Sequence, residues 1–151
     1  MDESTLQIIE ELTRELLEQL EVKGSVVVSE RDEAAFVLIE TEDAAPLIGR
    51  HGKSLEAIQI LLGQMVHKKV GTWIRVIVSV GDYRERRELQ LKELAQKTAE
   101  RVVESGQPAI ISDLSPSERR VVHMVLTDHP HVQSESDGVG RLRKLIVKPR
   151  V

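Results

Sequence analysis

Gly49-Arg50-His51-Gly52-Lys53 is the segment of this 151-residue chain whose residue types fit most specific chemistry. Two glycines three apart let the backbone turn sharply, and without a Cβ they let a second chain approach closely. The N–H groups that open a following helix point outward and favour an anion. Arg50, His51 and Lys53 add cationic donors. The group that matches all of this is the phosphate of a nucleic-acid strand. A chain with 9 glycines in 151 residues holds about half a G-x-x-G by chance, so the turn gains meaning only from its surroundings. Alone, it reads equally as a helix–turn–helix link that uses glycine as a stop.

Three further groups of cations have both a functional and a structural reading. Arg119 and His123 stand four apart and share one helix face, from which each can donate to a phosphate. The alternative is a solvated face with no ligand. Arg84, Arg86 and Arg87 fall in the first turn or so of a helix, where the dipole disfavours cations. Either an anionic ligand or the neighbouring Glu85 and Glu88 must compensate, and Arg84 with Glu88 has the spacing of an internal ion pair. Arg141, Arg143 and Lys144 make a basic ribbon near the end of the chain. Such a ribbon can lie along a phosphate backbone or guard an exposed strand against aggregation. His129-Pro130-His131 lacks a third ligand at a sensible spacing, so no metal is expected. No serine–histidine–acid set, Walker loop or paired-carboxylate pattern stands out. The expectation is a protein without cofactor or catalytic residues, not an enzyme.

The elements that position these residues follow from periodicity. Leu6, Ile9, Leu12, Leu16, Leu17 and Leu20 repeat at helical spacing and Gly24 ends that helix. Ser25–Ser29 and Ala35–Glu40 read as strands joined by a turn at Arg31-Asp32-Glu33. Ala44–Ile48 is a short helix with Pro46 near its start, and Leu55, Ile58, Leu62 and Met65 mark a longer one that Gly71 stops. Trp73–Val80 alternates as a strand. Asp82 is placed to cap a long helix from Tyr83 to about Glu104, which Ser105-Gly106-Gln107-Pro108 terminates. A short strand at Ala109–Ile111 follows. Ser115-Pro116-Ser117-Glu118 carries three agreeing signals for a helix start, and that helix should run to about Leu126. Val132–Glu135 and Leu142–Lys148 are expected to form a hairpin turning at Asp137-Gly138.

Composition bounds the function. There is no cysteine, which removes disulfides and thiol chemistry and fits a cytoplasmic protein. The acidic start Met1-Asp2-Glu3 does not read as a secretory signal, and no apolar run is long enough to insert directly into a membrane. Phe36, Trp73 and Tyr83 are the only aromatic residues, too few for folds that bind single strands by stacking bases on rings. A strand would have to be gripped by its backbone and read from an aliphatic groove. The net charge of −4 conceals an asymmetry: residues 1–43 hold 13 acids and 3 bases, while the remainder holds 12 acids and 18 bases. A basic section is the footprint of a nucleic-acid ligand.

The element order αββααβ, with the glycine turn between its third and fourth elements, resembles a KH domain of the bacterial type (type II). The capped helix bearing Arg119-x-x-x-His123 between short strands resembles the Arg-three-His domain. Joined by the helix that opens Asp82-Tyr83-Arg84-Glu85-Arg86-Arg87, the two resemble the Jag (KhpB) family of bacteria over essentially the whole chain. The fold class implied is α+β, with a KH domain over residues 1–81 and an Arg-three-His domain over 82–151 that opens with the long helix 82–104. Family members often carry an additional N-terminal Jag domain, which this sequence lacks. The resemblance implies single-stranded RNA as ligand, with single-stranded DNA as the alternative, and a role in post-transcriptional control or as an RNA chaperone tied to cell-envelope growth or division. It also implies a small KH-only partner protein. Carried over, the clamp is Gly49, Arg50, His51 and Gly52, flanked by Ile48, Lys53 and Leu55. A reading of another class is a protein–protein adaptor that uses the KH surface for dimerisation or docking.

Overall fold

A computed structural model describes all of residues 1–151. The chain forms two compact units, Met1–Arg84 and Glu85–Val151.

In the first unit, α1 (Glu3–Gln19) is followed by the antiparallel strands β1 (Ser25–Arg31) and β2 (Ala34–Glu40). Asp32 and Glu33, both at positive φ, make their turn. A four-residue helix α2 (Ala45–Ile48), the glycine turn, and α3 (Lys53–Val70) lead to β3 (Val76–Val80), which pairs parallel to β2 in a sheet of order β1-β2-β3. The αββααβ order expected from periodicity is therefore present. One face of each element is apolar, and these faces meet in a single core: Ile9 and Leu17 of α1, Val37 and Ile39 of β2, Leu62 and Val66 of α3, Val78 and Val80 of β3. The strand expected from Trp73 begins only at Val76. Trp73 and Arg75 precede the ladder, although the Arg75 carbonyl already accepts from the Ala35 N–H at 2.8 Å.

In the second unit, α4 (Tyr83–Ser105, its first two residues belonging to the first unit) leads to β4 (Ala109–Ile111), α5 (Pro116–Thr127), β5 (Val132–Asp137) and β6 (Lys144–Pro149). The sheet order is β4-β6-β5, with both pairings antiparallel. Leu91, Ala95, Ala99 and Val102 of α4 pack with Val122 and Leu126 of α5 and with Leu145 and Val147 of β6. All three start signals of α5 operate: Pro116 opens the helix, the Ser115 hydroxyl accepts from the Glu118 N–H at 3.2 Å, and Glu118 accepts from the Ser115 N–H at 3.1 Å. The hairpin differs from expectation. Its strands pair from Val132–Pro149 to Asp137–Lys144, so the connection runs over residues 138–143 and contains a 3-10 turn at Gly140–Leu142. Leu142 and Arg143, expected to open the second strand, therefore sit in the loop with Arg141. No helix is long and apolar enough to cross a membrane.

Candidate nucleic-acid interface

The glycine turn has the backbone its sequence demands. Gly49 lies at φ 67°, His51 at φ 53° and Gly52 at φ 76°. Three left-handed residues in four would strain most side chains, which is why glycine occupies two of them. Space decides as strongly as torsion. A Cβ on Gly49 would collide with the Ser54 side chain, and one on Gly52 would meet the Tyr83 hydroxyl at 2.8 Å. The turn is thus pressed against the start of α3 on one side and against Tyr83 on the other. Its polar side chains face outward: Arg50, His51 and Lys53 are exposed, while both glycines are half-buried. Gly52 stands at the cap position of α3, and no side chain caps that helix. Its first N–H groups and three basic side chains therefore share one exposed corner, a geometry suited to an anion.

The two flanking positions diverge. Ile48 is half-buried and packs against the core beside the turn. Leu55 is only 4% exposed and belongs to the core itself, so it shapes the turn from behind. Its expected place on a ligand-facing flank is corrected: helical spacing carries position 55 inward with Leu62 and Val66.

The arginines of the D-Y-R-E-R-R segment separate into different roles. Arg84 donates through Nε and Nη2 to the Val78 carbonyl, at 2.9 and 2.6 Å, and through Nη2 to Gln59 Oε1 at 2.9 Å. Gln59 in turn accepts from the Val78 N–H at 3.0 Å. Arg84 thus ties the start of α4 to β3. Arg87 pairs with Glu118 at 2.8 Å, both side chains being mostly buried. The partners of these two cations thus include the Val78 carbonyl, Gln59 and Glu118, all further away in the sequence than the Glu85 and Glu88 that the spacing offered, and Glu88 pairs with Lys92 at 3.0 Å. Arg86 is exposed.

In the second unit, Arg119 and His123 lie on one face of α5 as spaced, but in different environments. Arg119 is half-buried and donates to the Leu114 carbonyl at 2.8 Å, which closes the loop before the helix. His123 is exposed, and its Nδ1 lies 2.7 Å from the Ser134 hydroxyl of β5. That bond orients the ring from behind. Arg120, passed over in the sequence, is exposed next to them. Arg143 donates to the Gly138 carbonyl at 2.7 Å and stabilises the hairpin loop, Lys144 is half-buried, and Arg141 is exposed. Nothing in the spacing of the chain announced Tyr83 behind Gly52, or Ser134 behind His123. Both are long-range contacts that no local pattern encodes.

Comparison with known proteins agrees with these two units. Residues 7–80 match the KhpA/KhpB KH domain and residues 89–149 match the Arg-three-His domain. The chain is 32% identical over 123 residues to RNA-binding protein KhpB of Clostridium symbiosum, covering 82% of this chain and 55% of that protein. It is 30% identical over 135 residues to RNA-binding protein KhpB of Lactiplantibacillus plantarum, covering 89% and 42%. A third, RNA-binding protein KhpB of Bacillus subtilis, is 28% identical over 134 residues, covering 87% and 64%. The chain spans about half the length of these relatives. With a KhpA/KhpB-type KH unit followed by an Arg-three-His unit, and relatives aligned across both, the chain belongs to the KhpB, or Jag, family.

Proposed function

We propose that this chain binds single-stranded RNA, gripping its phosphates at the turn Gly49–Lys53 and making a second contact through the α5 face that carries His123. KH and Arg-three-His units are binding modules and not enzymes. The observation that carries the reading is the exposed corner where Arg50, His51 and Lys53 surround the uncapped start of α3, on a backbone that only glycines at 49 and 52 accommodate. KH turns of this kind clamp about four nucleotides along their backbone. Single-stranded DNA offers the same phosphates and is the competing ligand. A cytoplasmic role in post-transcriptional control or RNA chaperoning, tied to envelope growth or division, is the finer reading. It rests on family resemblance.

The test is Arg50→Asp with His51→Asp, which reverses charge at two exposed positions and leaves the core intact. Affinity for a twelve-nucleotide single-stranded RNA should fall at least tenfold. If it stays within a factor of two in a folded protein, the clamp assignment fails.

One observation favours a second, compatible reading. The outer face of α3 exposes Ile60 (61%) and Leu61 (48%) next to Ala57. This apolar stripe fits the docking of a small KH-only partner protein. Ile60→Asp should abolish such a complex in sedimentation while sparing RNA binding, and the complex should tolerate salt that dissociates RNA.

A further inference from the structure

The chain's single tryptophan lies away from the glycine turn. Trp73 sits in the link between α3 and β3 and is 63% exposed. Its indole stacks flat on His67, with ring centroids 3.9 Å apart and planes 5° from parallel. His67 is half-buried, and its Nδ1 is buried without a hydrogen-bond partner. The imidazole therefore serves as a rigid backing for one indole face, and the exposed area leaves the opposite face open.

The sequence on either side of this ring is one-sided in charge. From residue 57 to residue 81 the sequence contains no aspartate or glutamate, in a chain with 25 of them. The cations in that stretch are sequence neighbours of the stacked pair. Lys68 and Lys69 follow His67 in the last turn of α3, and Arg75 follows Trp73 at the same parity as Ile77, on the sheet face away from the core. Lys68, Lys69 and Arg75 are all exposed. Asp32 and Glu33 turn at this end of the sheet, but in the β1–β2 connection, with β2 between β1 and the β3 edge.

We propose that Trp73 is a stacking platform for an unpaired base of single-stranded RNA, with Lys68, Lys69 and Arg75 contacting the adjoining phosphates. One open aromatic face with cations close by in sequence cannot build a multi-ring platform, but it can add a single stacking contact to a backbone clamp. A sulfur- or aliphatic-based docking surface would need no such charge. His67 lies 15 residues beyond Gly52, roughly 20 Å along α3. The platform would thus engage nucleotides outside the four held at the turn, lengthening the footprint. The proposal rests on the RNA-binding reading above.

A fluorescein-labelled twelve-nucleotide oligoadenylate separates the two. Anisotropy reports total binding, and Trp73 emission, with unlabelled oligomer, reports the platform. Emission is expected to be quenched along the same isotherm as the anisotropy. Trp73→Ala should weaken binding about tenfold, and Trp73→Phe by less. His67→Phe, which keeps a flat backing, should bind as the native chain does, whereas His67→Ala should lose part of the quenching. Lys68→Glu with Lys69→Glu should weaken binding and flatten its salt dependence. If the native chain shows anisotropy binding while Trp73→Ala binds within twofold of it, the platform is refuted and the clamp stands. If the native chain shows no binding, both readings fall.

Discussion

Single positions in this protein carry opposite demands even when the residue is the same. Gly52 is held at φ 76° against Tyr83, while Gly63, inside α3, has nothing within 4 Å of where a Cβ would stand. Gly63→Ala is expected to raise stability by about 0.5–1 kcal/mol, since a mid-helix glycine costs that much in chain entropy. Gly52→Ala should lower stability by more than about 1 kcal/mol, because left-handed torsion and the Tyr83 clash act together. Urea unfolding of the two variants checks the sign of each. Arg119 and His123 divide in the same way. Arg119→Ala removes the donor to the Leu114 carbonyl and should cost about 1–2 kcal/mol of stability. His123→Ala, at an exposed site, should leave the unfolding midpoint nearly unchanged while reducing RNA affinity. A loss of affinity in Arg119→Ala therefore says little without its unfolding curve, and His123→Ala is the cleaner probe of the second unit.

Among the elements, the start of α5 is the best-determined joint. Ser115, Glu118 and Arg87 form one connected set: Glu118 Oε2 accepts from the Ser115 N–H and Glu118 Oε1 accepts from Arg87. Ser115→Ala should cost about 1 kcal/mol. Glu118→Ala should cost more, since it also strands the mostly buried Arg87 cation. A double-mutant cycle of Ser115 and Glu118 should show coupling and not additivity. Much of this was legible in advance. Ser-Pro-Ser-Glu encodes its cap locally, and the stripes Leu6–Leu20 and Leu55–Met65 encode their helices by period. The G-x-x-G turn was legible because glycine is required by torsion within a few residues. What escaped was non-local or one-residue detail. Arg87–Glu118 joins positions 31 apart, and Tyr83 reaches Gly52 across the sequence. Leu55 looked like a flank because it follows the turn closely, yet helical rotation carries it into the core. The β5–β6 loop lies two residues further along than expected, because β5 extends to Asp137 and Gly140–Leu142 adds its own 3-10 turn before β6.

For the molecule as a whole, the uneven charge sets how binding should respond to salt. A balance of −10 over residues 1–43 and +6 over the remainder confines the cations that can release counterions from a strand. Removing one cation from a phosphate should reduce the slope of log affinity against log salt by about 0.7. Arg50→Ala should therefore flatten the slope by about that amount, measurable between 50 and 200 mM salt (about a fourfold range) by anisotropy. An unchanged slope would place Arg50 outside the phosphate path.

The central position of β6 has a consequence for biosynthesis. β4 and β5 bond only to β6 and never to each other, so neither has a ladder partner until Lys144–Pro149 exists. The first unit has all three of its strands once Val80 has left the ribosome, whereas the second must wait for Lys144–Pro149. A nascent chain stalled near Asp137 should resist protease across its first unit and be digested across its second.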